Sequence, residues 1–511
     1  MDFKQLKEDR YLLVLLVLAV AFVAYWALFA NYRYTTFSST YYDLGVEMYS
    51  LYWHVHGISY YPNMLDYLVF TNHISPFSVV LLPIFALSQN PLSFILVQDI
   101  ILAITSLIVY FAASEFLGSR KIGFAMAFAF LINPATVGLT LFDFHLEAIA
   151  VFFYVLSFYF YMKGKRAYFI ISYILLLSTY DVMPFVGVFL IFGLLLYEML
   201  YNFRSKDVDK SLYRKRLYLL ALAILLTVAF VIFYIQAANY INKSYLVIPS
   251  SAIVPIQRLK GYISEQLSIF SGTSTFTYNS ASLIGGSIIG LIVFYFGFGI
   301  SSLANPIISL MLYAPWLLEV LVIHNYLFIL PGSQNYSFAL GGSVVSAILG
   351  CMIIMKGRIS FLRFGKDGLK KFGRLLFALI IIFAVLIAAY NFFLVRHYLL
   401  LDYAPKLNYT MLNSALETIP ANATVMAQTS IAPHLYYMHN LELSPADEPS
   451  WFEPVGVQVY WAQPDYIVVD RNLPGYDELI NSSVFNIYNF TRLNYTVYYN
   501  NSGIYIYKRL G

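Results

Sequence analysis

The sequence predicts an α-helical polytopic membrane protein. Of its 511 residues 60% are hydrophobic, mean hydropathy is +0.69, and only 11% are charged, against roughly 25% in soluble domains. So few charges cannot cover the surface of a soluble protein, which excludes a soluble enzyme, a disordered chain, a coiled coil and a nucleic-acid-binding domain. The single cysteine, Cys351, excludes an intramolecular disulfide and a cysteine-based metal site.

Long apolar runs predict about eleven transmembrane helices. The first run, 11–30, follows Lys4, Lys7 and Arg10 and lacks the cleavage site of a signal peptide. Ten further spans are predicted at 92–115, 122–140, 147–162, 167–180, 184–201, 217–238, 283–303, 306–328, 337–355 and 375–395. The run 76–88, framed by two prolines, is too short to span and is predicted to be re-entrant or interfacial.

The sequence predicts an integral protein of the cell membrane, and its charge pattern predicts a cytoplasmic N-terminus and an extracytoplasmic C-terminus. In this topology 21 of the 31 lysines and arginines fall on the inner side, including six in 204–216 and seven in 356–374, as the positive-inside rule requires. Glycans are possible at eight outer Asn-X-Ser/Thr sites, Asn242, Asn335, Asn408, Asn422, Asn481, Asn489, Asn494 and Asn500. A polar surface that contains Asn and Thr by chance is the alternative explanation of this motif.

The composition changes near Arg396 and predicts two domains. Residues 1–396 form a transmembrane domain, and residues 397–511 lose the long apolar runs and form a small extracytoplasmic α/β domain. Within it the pattern predicts a helix over 409–419 and buried strands over 423–428 and 466–470. Asn500-Asn501-Ser502-Gly503 indicates a hairpin near the end of the chain.

Carboxylates and imidazoles gather in the predicted outer loops. The long first loop carries Asp43 and His73, and the short second loop carries Asp143 and His145. Asp181 lies at the predicted outer end of the fifth span. We expect the residues of the first two loops to converge around a cavity, where they supply a general base, a metal site or both. Purely structural roles are the alternatives to this chemistry. Asp43 could cap a helix, and His145 could be a hydrogen-bonded histidine at the membrane interface.

Three outer basic residues are candidates for an anionic ligand. Arg258 and Lys260 lie in a basic amphipathic stretch of the fourth outer loop, and Arg396 follows the last span. They are suited to bind a phosphate, although contact with lipid headgroups explains them equally well.

Several short motifs resemble the membrane-protein family catalogued as domain of unknown function 2079. They are Tyr42-Asp43-Leu44-Gly45-Val46, then His73-Ile74-Ser75-Pro76, Gln98, Asn133-Pro134, and Phe142-Asp143-Phe144-His145, with Asp181 at a further acidic position. The resemblance is good over residues 35–200 and extends beyond them by layout. The family is in turn similar to the C-type glycosyltransferases (GT-C), which have many spans and a long first outer loop with juxtamembrane helices.

The resemblance implies transfer of a sugar from a polyprenyl-phosphate carrier to an acceptor at the outer face of the bilayer. It implies Asp43 as the base and Asp143 and His145 as its catalytic partners. His73, Asp181, Arg258, Lys260 and Arg396 are the substrate-binding candidates. The sequence permits a divalent metal but does not require one. Two alternatives stay open, a non-catalytic scaffold of GT-C type and a small-solute transporter. For a transporter the functional groups would be the in-span acids, of which Glu319, close to Pro315, is the best candidate, and the others are Asp99, Glu115 and Glu198.

Overall fold

The computed structural model describes residues 9–39, 44–56, 74–141, 143–203, 209–245, 280–323, 336–355, 366–401, 409–438, 440–443, 464–473 and 495–510. In these ranges the chain is mostly helical and ends in a small sheet. The helices are α1 (Arg10–Thr35), α2 (Val46–Val55), α3 (Ser78–Leu87), α4 (Pro91–Leu117), α5 (Arg120–Leu131), α6 (Pro134–Leu141), α7 (Leu146–Lys163), α8 (Arg166–Ser178), α9 (Met183–Tyr197), α10 (Lys210–Tyr245), α11 (Ser280–Phe296), α12 (Pro306–Ile323), α13 (Ser337–Met355), α14 (Lys366–Leu401) and α15 (Tyr409–Leu416).

Within the described ranges seven helices are long and apolar enough to cross a membrane. They are α1, α4, α7, α9 with its π-helical extension Glu198–Asn202, α10, α13 and α14. The bent pair α5 and α6 raises the number to eight if it forms one span. These helices confirm the polytopic membrane class, while the full set of eleven spans stays a prediction.

The remaining predicted spans correspond to shorter or interrupted helices. The span predicted at 122–140 bends by 40° between α5 and α6, because Asn133 caps the second helix through the Ala135 amide (3.0 Å) and Pro134 cannot donate to the first. Helix α8 has 13 residues and α11 has 17. Helix α3 has 10 residues and also contains a proline, in line with the prediction that 76–88 does not span.

The strands at the end of the chain form one five-stranded mixed sheet. They are β1 (Thr424–Ala427), β2 (Asn440–Leu443), β3 (Tyr466–Asp470), β4 (Tyr495–Asn501) and β5 (Ile504–Arg509), in the order β2-β1-β3-β5-β4. Strands β1, β2 and β3 are parallel, and β4 and β5 form the predicted antiparallel hairpin. Helix α15 contributes Leu412 and Leu416 to the core of this sheet. Strand β2 was not predicted, and the boundary at residue 396 stays a prediction.

The sheet packs on one end of the helical bundle, which we call the sheet side. Three bundle residues, Phe37, Tyr49 and Trp53, are buried in the same apolar cluster as the sheet core. The Trp53 Nε1–H donates to the Met438 carbonyl (3.1 Å), and the Tyr436 hydroxyl donates to the Gln89 carbonyl (2.7 Å). The segment that makes these contacts follows β1. The carboxyl end of β1 therefore points toward the bundle.

The opposite end of the bundle, the far side, begins with the start of α1. Asp9 caps α1 through the Leu12 amide (3.3 Å), and its Oδ2 lies 3.3 Å from Nε of Arg120, at the start of α5. Helix α1 thus runs from the far side to the sheet side, and the short segment after α6 brings Asp143 to the end of α1.

Candidate functional site

Asp143 lies in the short segment between α6 and α7 and is only 2% exposed. Its Oδ1 is 3.6 Å from Nη1 of Arg33, which is itself buried in the last turn of α1. Arg33 also donates to the Leu141 carbonyl and to the Ser38 carbonyl (2.6 Å from Nη2). The arginine therefore joins three chain segments, and its charge balances that of a carboxylate removed from water.

His145 belongs to the same buried network. Its backbone N–H donates to Oε1 of Gln98 (2.7 Å), and the Gln98 amide donates to the Leu139 carbonyl (2.7 Å) and, at 3.4 Å, to the Asp143 carbonyl. Nδ1 of His145 is 2.9 Å from the Asp143 carbonyl. Because a carbonyl only accepts, Nδ1 carries the hydrogen, and Nε2 is the nitrogen left to make a further contact.

Beside this network lies a contact that we call the joint, between the segment that follows His73 and the turn that precedes Asp181. Ser75 Oγ donates to the Thr179 carbonyl (2.8 Å), and the Phe77 amide donates to the Ser178 carbonyl (3.0 Å). This contact fixes the start of α3 against the end of α8. Asp181 begins the turn that leads into α9.

Aromatic contacts connect the joint to the buried network around Asp143. The rings of Phe94 and Phe144 meet edge to face at 5.4 Å, and those of Phe77 and Phe153 do so at 5.6 Å. Helix α2 packs against α3, and Leu44, at its start, is fully buried. The sheet-side ends of α2, α3, α4 and α7 therefore form one packed surface around the Asp143 segment.

The structure describes three of the eight predicted site residues with their side chains. It brings Asp143 and His145 into one network and places Asp181 after the joint with α3. Asp43, His73, Arg258 and Lys260 lie outside the described residues, and of Arg396 only the backbone in α14 is described. The convergence of the first-loop residues with Asp143 and His145 stays a prediction.

Two residues of the network, Arg33 and Gln98, were not predicted to belong to a site. Gln98 belongs to the residues that carry the family resemblance, but the sequence alone assigns it no role. Arg33 carried a signal of its own, since a basic residue at the predicted outer end of a span runs against the positive-inside bias. No group of three His, Cys, Asp or Glu side chains suited to hold a metal occurs within the described part of the chain.

A buried histidine marks the contact between the sheet and the bundle. The His434 ring stacks on Phe37 at 3.8 Å and on Tyr34 at 4.3 Å. Burial lowers the pKa of the His434 imidazole to about 3, and a hydrogen bond with the Tyr34 backbone opposes that shift. The ring is therefore neutral at neutral pH and acts as an aromatic spacer between the two parts of the molecule.

Comparison with protein families identifies the chain. The family described as predicted membrane protein (DUF2079) matches residues 33–506. The chain belongs to this family. The match includes the whole network from Arg33 to His145 and extends through most of the sheet. No curated protein matches the chain significantly. Together with the apolar helices, the family identifies an integral membrane protein whose spans lie in a lipid bilayer.

Proposed function

We propose that this protein is a glycosyltransferase that moves a sugar from a polyprenyl-phosphate carrier to an acceptor at the sheet side of the bundle. The observation that carries the proposal is the buried network of Arg33, Asp143, Gln98 and His145, which lies where the bundle meets the carboxyl end of a parallel strand. Carboxyl ends of parallel strands are common ligand sites in α/β folds, and a carrier phosphate lies at the same membrane boundary.

The sheet side is the extracytoplasmic face in this proposal, with the N-terminus in the cytoplasm. The far side holds Arg120, Arg166 and Arg216, as the positive-inside rule expects for a cytoplasmic face. Impermeant maleimide labelling of intact cells tests the orientation through the exposed positions Lys210→Cys and Ala421→Cys, because the natural Cys351 is buried. We expect labelling of Ala421→Cys alone, and the reverse result would reject the proposed site.

Each step of the proposed reaction has a candidate group. Asp43 accepts the proton of the acceptor hydroxyl, the acceptor oxygen bonds to the anomeric carbon, and the bond from that carbon to the carrier phosphate breaks. The phosphate leaves as an anion, which Arg258, Lys260 and Arg396 stabilise. Asp143 is held by Arg33 and largely closed to solvent. Its role is therefore to shape the site and orient His145, and His73 and Asp181 contact the sugar or acceptor.

One observation favours transport as a second candidate function. Asp99 lies in α4 and is fully buried, and neither carboxylate oxygen has a hydrogen-bond partner among the described residues. Ionisable groups inside membrane-spanning segments often mark ion or proton paths. If transport is the function, Asp99→Asn abolishes solute or proton uptake in proteoliposomes, whereas a glycosyltransferase keeps its turnover in that variant.

Single-turnover transfer from a labelled polyprenyl-phosphate sugar tests the enzyme directly. Asp43→Asn keeps the shape and capping ability of the side chain but removes the proton acceptor, so transfer falls by roughly 10²–10⁴. Asp209→Asn makes the same chemical change at an exposed far-side helix cap and leaves transfer unchanged. Carrier binding that persists in an inactive wild-type protein indicates the scaffold alternative. If Asp43→Asn transfers at the wild-type rate, Asp43 is only a cap.

A further inference from the structure

A groove of about 430 Å³ runs along the bundle between α1, the bent pair α5 and α6, and α14. Five of its eleven lining residues are aromatic, among them Phe22, Trp26 and Phe392, five are aliphatic, and Asn391 contributes the one amide side chain. None of the residues that line it carries a charge. The groove therefore favours an apolar ligand, and its lining contains no Lys or Arg that would pair with a phosphate.

The groove opens toward the bilayer. Helices α1 and α14 are both long enough to span, and two lining residues, Tyr25 and Phe392, are 55% and 66% exposed. In a membrane the medium at such a surface is lipid hydrocarbon. The groove is thus accessible to the tails of surrounding lipids along its length.

Water is a poor occupant of this groove, because a bound water needs two to four polar partners. Among the side chains that line the groove only those of Tyr25, Trp26 and Asn391 carry polar atoms. The Asn391 amide already donates to the Ile132 carbonyl (2.7 Å). This leaves its buried Oδ1, the Tyr25 hydroxyl and the Trp26 indole N–H, too few to hold a row of waters. An empty groove, in turn, would forfeit the dispersion contacts of its lining. We propose that the groove is a binding site for one acyl chain of a bilayer phospholipid.

The position of the groove connects this lipid to the candidate site. Its floor is the break between α5 and α6, where Asn391 holds the Ile132 carbonyl. Trp26 and Leu394 pack with Val137 and Leu141 of α6 in one apolar cluster. The Leu141 carbonyl accepts from Arg33. A chain bound in the groove stiffens α6 and so holds the Arg33–Asp143 pair in place, as a positioning ligand that takes no part in the chemistry.

Photo-crosslinking of the full chain in nanodiscs tests the site without any assay of turnover. The probe is a phosphatidylglycerol with a diazirine in one acyl chain, and we expect its crosslinks to concentrate in 128–137 and 391–395. Val395→Trp fills the groove and lowers this labelling by about tenfold, the order of effect expected when a bulky side chain fills a packed site. Val385→Trp makes the same change on α14 at a position outside the groove lining, 53% exposed, and leaves the labelling unchanged.

Three results would overturn the proposal. Labelling of Val395→Trp at the wild-type level would mean that the groove does not hold the chain. Wild-type crosslinks spread over all lipid-facing helices in proportion to their exposure would reveal ordinary bilayer contact, and this readout remains valid if Val395→Trp fails to fold. Groove labelling by a diazirine polyprenyl phosphate that displaces the phospholipid probe at equal concentration would assign the groove to the carrier. The site stands whether or not Asp43 catalyses transfer.

Discussion

The two ends of the bundle each hold a buried arginine–carboxylate pair, and the pairs are built differently. On the far side Nη1 of Arg216 lies 3.4 Å from Oε1 of Glu198, and this carboxylate also accepts from the Tyr161 hydroxyl (3.1 Å) and the Asn202 amide (2.7 Å). Like Arg33, Arg216 donates to a carbonyl near the end of a neighbouring helix, that of Met162. These three partners of the Glu198 carboxylate are all side chains on helices.

On the sheet side the carboxylate belongs to a short connecting segment. Asp143 pairs with Arg33, but the next contacts pass through backbone groups to Gln98 and His145. A carboxylate held by side chains on helices stabilises helix packing, whereas the sheet-side network fixes the path of the segment between α6 and α7. We infer that the far-side pair is structural and that the sheet-side pair positions a site.

Removal of each arginine tests this difference with the largest expected effect. Arg33→Met and Arg216→Met each leave a buried carboxylate without its arginine, which costs about 3–5 kcal/mol in the free energy of unfolding. Replacing the whole pair by apolar residues restores most of the stability. We therefore expect Arg216→Met/Glu198→Leu to recover both stability and transfer, and Arg33→Met/Asp143→Leu to recover stability alone.

Unfolding in detergent and single-turnover transfer, measured on the same preparations, separate these outcomes. If the sheet-side double variant transfers sugar as fast as wild type, the Arg33–Asp143 pair is a second structural pair. In that case the distinction between the two ends disappears.

Loss of Gln98 gives an effect of at most comparable size and sharpens the comparison. Gln98→Leu leaves the His145 N–H and the Leu139 carbonyl without their partner, at about 1–3 kcal/mol for each buried group that stays unsatisfied. The far-side control, Asn202→Leu, removes one donor to Glu198 and lowers stability without affecting transfer. Gln98→Glu keeps the acceptor for His145 but sets a second acceptor against the Leu139 and Asp143 carbonyls, so it does not recover the stability that the amide donor provides. Equal transfer in Gln98→Leu and Asn202→Leu would contradict a special role for the sheet side.

The contact between sheet and bundle is expected to weaken in acid. The pKa of His434 falls from about 6.5 to about 3 on folding, so the unfolded state binds more protons between these values and stability falls as pH drops below about 6.5. At pH 5 the loss is roughly 2 kcal/mol, at about 1.4 kcal/mol per pH unit. His434→Phe keeps a ring against Tyr34 and Phe37 and removes this pH dependence. Hydrogen exchange of residues 409–438 at pH 7 and pH 5 provides the measurement.

Local pattern was sufficient to predict four of the five described strands and most of the described helices. The predicted buried strand over 466–470 and the predicted hairpin near Gly503 coincide with β3, β4 and β5. Both were predictable because short apolar runs and turn residues are signals that depend only on neighbouring residues. Strand β2, with the sequence Asn-Leu-Glu-Leu, is too short and too polar to stand out. It is defined by pairing with β1, a contact that the local pattern does not contain.

The site was predictable in its residue types but not in its pairing. Asp143 and His145 stood out as polar residues in an apolar stretch, and the structure brings both into one network. The partner of Asp143 could not be read from the chain, because Arg33 lies more than a hundred residues away and the two meet only when α1 packs beside α6. The bend before α6 was signalled by Asn133-Pro134, yet the apolar run through it favoured a single span.

The smallest expected effect concerns the joint between α3 and the turn before Asp181. Ser75→Ala removes the hydrogen bond to the Thr179 carbonyl and costs about 1 kcal/mol. If His73 and Asp181 bind the substrate, loosening this joint raises KM and leaves kcat nearly unchanged, because a binding contact is lost equally in ground and transition states. Ser88→Ala is the matched control, since it removes a hydroxyl contact with Ser93 at the other end of α3. If KM rises equally in both variants, the effect comes from the stability of α3. Asp181 would then have no role in substrate binding at the site around Asp143.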